Sequence, residues 1–471
     1  MVCSATLVDD GFSSSLIVPA RGVLEERGGP FHYSASSGGY SVLLKATSLQ
    51  GCTHPCQIRI AAGETVFTSL IREQGQLHDD ALLAAPAPLA FWLCDNWWRL
   101  RWETIPANGL STTPWRIAHD MAAVGGGYSW PRLCLWGDLD RIGLLSQADP
   151  VGVVGPVRYL TDAIVYIDAA HFEREVDDFL NRVADEQQGF TLDGQALRAL
   201  IDALRQERSD PQTARWRRLE ARLGFDPDQA PDAHIQTLNT LANHHGLESV
   251  EEAIAAVPSA QASHILEREL QTTREKGHRC DFSHLLSRIP EIERKPTEPP
   301  WVAAEQAAQQ TRAIAGMERG PMRNKRLADL LGTAVKSVRA EAGTDRLHYG
   351  LRISDQGPTG RQTTALRARW ATARRFELCR ALGDTLWARD TSLGPIADSS
   401  TARQKFQRAF AQSLLCPFSE LLEYLKTDSP DSDDIAAAAR HFHVGEAVVQ
   451  TLLVNKGIIA RSQLPDRLEA A

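Results

Sequence analysis

Apolar and polar residues alternate in several short runs of the first third of the chain, as they do in strands with one buried face. Tyr40–Lys45 and Cys56–Ile60 show this, and Trp97–Trp102 repeats it. That alternation would place Trp98 and Trp102 on one strand face and Trp97, Arg99 and Arg101 on the other. Arg132–Trp136 and Arg141–Leu145 flank Gly137–Asp140, which predicts a hairpin with a loop of about four residues. Tyr159–Ile167 is a further strand candidate. From His171 the period changes. Phe172, Val176, Phe179, Leu180 and Val183 fall on one helical face, and Leu197, Leu200, Ile201 and Leu204 repeat the spacing. Glu293–Pro300 is charged and rich in proline, so it cannot continue a helix and marks a boundary. Beyond it the pattern predicts helices over Val302–Ala315 and Arg326–Leu331, a less regular stretch, and several helices to the end.

These patterns predict an α+β multidomain protein. Residues 1–170 form a strand-rich mixed α/β domain, 171–298 a helical domain, and 299–471 a third, mostly helical domain. Composition changes the picture little: 43% hydrophobic and 23% charged residues are the proportions of a globular protein. A net charge of −8 leaves no global basic field for nucleic acid, so any such binding needs a local patch. The eight cysteines are scattered, which is expected of free thiols in a reducing cytoplasm. Met1–Phe12 carries acids and no apolar run of leader length. The longest apolar run, Ala81–Cys94, is interrupted by Pro86 and Pro88 and too short to span a bilayer. No membrane association is expected.

Three stretches of the third domain carry a family signal. Pro300–Ala308 is followed by Arg326-Leu-Ala-Asp-Leu-Leu-Gly332. Arg374-Arg-Phe-Glu-Leu-Cys-Arg-Ala-Leu-Gly-Asp-Thr-Leu-Trp387 comes next, and Phe410-Ala-Gln-Ser-Leu-Leu-Cys-Pro417 third. In order and spacing they resemble the ImmA/IrrE metallopeptidases, a family known for cleaving repressor proteins, whose corresponding motifs read RRFTLAHELGHLLL and FAAELLMP. Ile435–Ile459 is similar to the family's helix–turn–helix-like tail. The resemblance covers residues 300–460 and implies a zincin-like fold.

The zinc chemistry is missing from it. HExxH works because positions i and i+4 of a helix aim two imidazoles at one metal, while the glutamate between them polarises the bound water. Here the first histidine position is Arg380, the glutamate position Ala381 and the second histidine position Asp384. The third ligand, a glutamate, should fall near Gln404 or Phe406, and neither carries a carboxylate. Phe376, Leu378, Leu382 and Gly383, the framework around these positions, remain. No catalytic residue, metal or cofactor is therefore expected here. Arg380 and Asp384 are spaced to pair on the helix face, either as an ion pair standing in for the zinc clamp or as exposed charges.

Other candidates are less specific. Cys52-Thr-His-Pro-Cys56 is the densest group of metal-ligand types, but no second knuckle accompanies it apart from His278 and Cys280. Asp281, Glu293 and Lys295 superficially match a nuclease pattern. Gly125–Gly127 precedes a proline and a strand-like segment, which favours a turn over a phosphate loop. Trp97, Arg99 and Arg101 are either an aromatic and cationic binding patch or a domain core with an arginine rim. Between Arg323 and Arg375 twelve cations face four acids. Arg323, Lys325, Arg326, Arg361, Arg367, Arg369, Arg374 and Arg375 could attract a nucleic-acid backbone or an acidic protein region, or form a solvated face. The tail offers Glu446 and no arginine where a DNA-reading helix would start, so packing or protein contact is expected of it.

The expected function is a non-catalytic regulatory or interaction protein that holds a protein partner where a substrate would sit. The setting suggested by the resemblance is bacterial stress response or phage and mobile-element defence. Two alternatives stay open: a nucleic-acid-binding regulator using the Arg323–Arg375 face, and an enzyme with a site in the N-terminal domain.

Overall fold

The two periodicities separate along the chain as strands and helices in a computed structural model. It describes residues 6–8, 42–47, 55–72, 77–106, 112–152, 155–187, 192–317, 319–339, 347–354 and 360–460. The architecture is mixed α/β, with small, mostly antiparallel sheets among many helices. The chain divides into two compact units, one ending at Gln229 and the other beginning at Ala230. The segment 171–298, read from sequence as a helical domain, is thus shared between the two units.

The first unit contains β1 (Thr6–Val8), β2 (Val42–Thr47), β3 (Cys56–Ala62), β4 (Thr65–Val66), β5 (Leu70–Arg72), β6 (Leu77–Asp79) and β7 (Leu82–Ala84). Helices α1 (Pro86–Asp95), α2 (Trp97–Trp102) and α3 (Thr113–His119) follow. Then come β8 (Leu133–Asp138), β9 (Arg141–Ser146), β10 (Val157–Tyr159), β11 (Ala163–Asp168), α4 (Ala169–Gln187), α5 (Leu192–Ser209) and α6 (Pro211–Arg222). Strands β1-β2-β3-β4 lie in that order, with β7 also on β3; β10-β5-β6 and β11-β9-β8 form two three-stranded sheets. The β8–β9 hairpin is the predicted one, with a tighter loop. Gly137 and Asp138 stay in the ladder, Asp138 opposite Arg141, so only Leu139 and Asp140 turn. The apolar run splits into β7 and α1, with Pro86 at the first helical turn, where its missing N–H costs nothing. Ile58, Leu89, Leu135, Leu144, Phe172 and Phe179 belong to one core.

Trp97–Trp102 is a helix and not the predicted strand. Alternating polarity misleads here because the arginines are buried along with the tryptophans. Trp97, Trp98, Arg99, Leu100 and Arg101 are all buried. Polarity reports the side facing water only where charged residues stay wet, and these are covered by ion pairs.

The second unit contains α7 (Asp232–His245), α8 (Leu247–Ala256), α9 (Ala262–Lys276), β12 (His278–Asp281), α10 (Ser283–Leu286), α11 (Pro300–Ile314), α12 (Asn324–Leu330) and α13 (Val335–Arg339). It continues with β13 (Gly350–Ser354), β14 (Arg361–Ala365), α14 (Ala371–Trp387), β15 (Leu393–Ile396), α15 (Ala402–Leu415), α16 (Phe418–Leu425), α17 (Ser432–Phe442) and α18 (Glu446–Asn455). The sheet order is β12-β14-β13-β15, antiparallel throughout. Helix α14 packs against this sheet and against α15, and α15 packs against α11. Leu378, Leu382, Phe406, Phe410, Leu414 and Leu453 share its core. Glu293–Pro299 contains no helix. No helix among the described residues is long and apolar enough to cross a membrane.

Candidate functional site

Helix α14 is buried almost all round, from Arg374 to Trp387. A helix with dry faces on every side must satisfy its polar side chains inside the protein. Arg380 and Asp384, one turn apart, do so separately. The predicted pair between them does not form, because each is held by other elements.

Asp384 has no solvent exposure and accepts four hydrogen bonds. Arg352 Nε on β13 reaches Oδ2 at 2.6 Å. Arg403 on α15 forks over both oxygens, Nε to Oδ1 at 2.6 Å and Nη2 to Oδ2 at 2.8 Å. Gln407 Nε2 completes the set at 2.6 Å from Oδ1. Burial would raise the Asp384 carboxyl, but Arg403 and Arg352 outweigh it and hold it below the ordinary carboxylate range. The two guanidiniums respond differently. At Arg352 burial wins over Asp384 and lowers its value, while at Arg403 burial is overcome by Asp384, Glu252 and Glu248. Two cations around one anion leave an excess positive charge. Carbonyl dipoles share it: Arg352 donates to Thr391 O and Ala388 O, and Arg403 to Leu393 O. The packing is close enough that β15 needs glycine at Gly394. A methyl there would fall onto the Asp384 carboxylate and the Arg352 side chain.

Arg380 lies on the other side of the same cluster. Its Nη2 donates to Ala397 O, to Gln404 Oε1 at 2.6 Å and to Gln407 Oε1 at 3.4 Å. Gln407 therefore touches Arg380 through its oxygen and Asp384 through its nitrogen. Gln404 also accepts from the Ala397 N–H and donates to Pro395 O. Among the described residues Arg380 makes no ion pair, and its Nε has no partner. Burial, reinforced by Arg408, brings its guanidinium down to about 10, against the pull of Asp398 and Glu377. Ala381 is fully buried, and Phe406 lies in the apolar core. The positions read from sequence as degenerate ligand positions, 380, 384 and 404, thus converge on one place, bridged by Gln407. Arg352, Arg403 and Gln407 were missed by sequence reasoning. Only a long-range pairing of charges could have pointed to them, and no local motif carries it.

The basic stretch does not act as one face. Arg374 and Arg375 are buried. Arg374 donates to Ala368 O and faces His278 Nε2 at 2.9 Å, and Arg375 binds Met322 O, Asn324 Oδ1 and His443 O. Arg361 pairs with Asp281, and Arg367 with Asp398. Arg323, Lys325, Arg326 and Arg369 are exposed, with Arg326 donating to Ala315 O.

Trp97, Arg99 and Arg101 form a buried core rim and not an exposed patch. Arg99 pairs with Glu103 at 2.7 Å and Asp226 at 3.3 Å, and Arg101 with Glu173 at 2.6 Å. Arg101 and Arg218 each lie 3.7 Å from the Trp102 ring centre, and Arg208 lies 4.4 Å from that of Trp97. In the same unit His119, fully buried and stacked on Trp115, bonds Glu103 at 2.9 Å and Leu135 O at 2.5 Å. Arg99, Glu103 and His119 are thus buried and hydrogen-bonded to one another or to the backbone.

Of the remaining candidates, Cys52 and His54 lie outside the described residues. Cys56 is buried in β3, and burial pushes its thiol up to about 11. Among the described residues no group of histidines, cysteines and carboxylates is placed to hold a metal. Asp281 is held by Arg361, and Lys295 pairs with Glu298. Gly125–Gly127 turns with positive φ at all three residues. Compared with family models, with curated proteins and with solved structures, the chain finds no match.

Two outcomes follow from the cluster. Asp384→Asn should cost about 3–5 kcal/mol in unfolding, since it strips the counter-charge from two buried guanidiniums. Because the folded carboxyl is depressed, its stabilisation is present above the unfolded value of about 4 and is lost as pH falls below it. The wild type should lose stability in that acid window, and the variant's profile should be flatter there. Arg380→Met keeps the volume and removes a buried charge without an ion pair. It should change stability by only about 1 kcal/mol, as urea unfolding of both variants would show.

Proposed function

We propose that this chain is a non-catalytic regulatory or interaction protein whose C-terminal part is a degenerate metallopeptidase domain of the ImmA/IrrE kind. The convergence of Arg380, Asp384 and Gln404 supports that reading. Arg380 and Asp384 share a helix, but Gln404 lies 20 residues beyond Asp384 on another one, and the resemblance requires it to meet them. The side chains that meet there do not fit zinc. A zinc site needs lone pairs from nitrogen, oxygen or sulfur. Arg380 offers none, because a guanidinium stays protonated. Both oxygens of Asp384 are taken by Arg352, Arg403 and Gln407, and the Gln404 oxygen by Arg380 and the Ala397 N–H. Ala381 has no proton-transferring group where a peptidase keeps its glutamate. The site has become a structural knot.

A fold of this kind without its chemistry serves by holding a partner, and a protein partner suits a domain descended from one that gripped protein substrates. The setting we propose, bacterial stress response or phage and mobile-element defence, rests on family analogy alone.

The test is hydrolysis of unfolded casein and of a quenched-fluorescence peptide library in zinc-supplemented buffer. The expected result is no cleavage above buffer. Cleavage that a chelator suppresses and added zinc restores would overturn the proposal.

A further inference from the structure

Away from the buried cluster, the second unit carries a groove of about 800 Å³ between the start of α14 and the α17–α18 turn. Its floor is small and apolar: Ala436 and Ala439 on α17, and Val444 in the turn. One wall is Trp370, which caps α14 and is 79% exposed although it is the largest kind of apolar side chain. Arg440 and His443 stand at the rim, both exposed, with Glu446 opening α18. Arg440 forms no ion pair among the described residues, nor do Arg369, beside Trp370, and Arg323, which lies close enough to His443 to influence its titration. The groove is held in shape from beneath. Arg375 binds His443 O, Met322 O and Asn324 Oδ1, tying the turn to the start of α12.

We infer that this groove docks a short acidic segment of a partner protein, with one apolar or aromatic side chain seated against Trp370. The inference rests on the reading of the chain as a protein-binding module and names the partner's chemistry. An exposed tryptophan sharing its groove with an arginine is the composition that dominates binding energy at protein interfaces. The groove volume suits one anchor side chain and its neighbours. In a chain of net charge −8, Arg440 in the lining, with Arg323 near His443 at its edge, favours a partner segment of opposite sign. Glu446 decides against a nucleic-acid strand. It lies in the lining and would repel a phosphate backbone laid there, whereas a peptide can turn its carboxylates to Arg440 and its apolar side to the alanine floor. The first turn of α18, Glu446-Ala-Val448, also lacks the basic residues that read a duplex.

The experiment is a synthetic peptide array probed with the full chain. The array varies net charge from strongly acidic to strongly basic and varies one central residue between serine, leucine, phenylalanine and tryptophan. Retention should rise with acidic charge and require the apolar centre. Trp370→Ala, at an exposed position, should leave the melting temperature unchanged and weaken retention about tenfold or more. Arg440→Glu should shift the preference away from acidic peptides. Retention indifferent to charge and centre, or to Trp370→Ala, would overturn the inference. So would equal competition by a single-stranded oligonucleotide, which would make the surface one for nucleic acid. Recovered peptides are checked by mass. Bound but cut peptides would sink the non-catalytic reading and leave the groove standing; intact peptides that do not bind would do the reverse.

Discussion

The second unit is organised around one buried carboxylate. Asp384 sits in the last turn of a helix that is dry on nearly every side, and it can stay ionised only because β13 and α15 each bring a guanidinium to it. That requirement fixes much else. Arg352 must lie on the strand next to β15, Gly394 must leave room on β15, and Arg403 must stand in the first turn of α15. The connection from α14 through β15 to α15 is therefore tied together by charge as well as by the apolar contacts of Leu382, Phe406 and Phe410. Buried pairs of this sort bring little net stability over a well-packed apolar core, yet are costly to break. They select one arrangement, which is a sound basis for a surface that must present a fixed shape.

Arg380 makes the contrast. It sits one turn from Asp384 and is also buried, but its Nη2 donates to carbonyl and amide oxygens, and among the described residues it has no carboxylate partner. On the proposed reading, an active relative would place a metal's positive charge at these positions. Here positive charge is supplied by protein side chains, and their counter-charge by a residue that could otherwise be a ligand. This is why binding, and not hydrolysis, is the function proposed. The groove at Trp370 begins where α14 begins, so the helix that carries the knot also carries one wall of the proposed docking surface.

Much of the secondary structure was legible in the sequence. The α4 stripe of Phe172, Val176 and Phe179 was read from its period, and the β8–β9 hairpin from the turn residues at Gly137–Asp140, although its strands are buried almost throughout. Trp97–Trp102 was misread for the opposite reason: Arg99 and Arg101 are polar but dry, so their spacing carried no information about exposure. The same failure hid the true partners of Arg380 and Asp384. Helical spacing suggested that they pair with each other, whereas Arg352 and Arg403 come from a strand and a helix whose positions only the fold supplies. The basic run from Arg323 to Arg375 likewise mixed exposed cations with structural ones, since a charge count cannot tell Arg375, bonded to three backbone and side-chain oxygens, from Arg369 in solvent.

Metal content measures the central claim most directly. The purified full chain, offered excess zinc and then dialysed extensively, is analysed for bound metal beside an Asp384→Ala variant. With Asp384 consumed by Arg352 and Arg403, zinc should stay well below one ion per chain in the wild type, and the variant should show no difference. One zinc per chain in the wild type that disappears in Asp384→Ala would contradict the account, because the carboxylate would then be a metal ligand and not the anchor of an ion-pair knot.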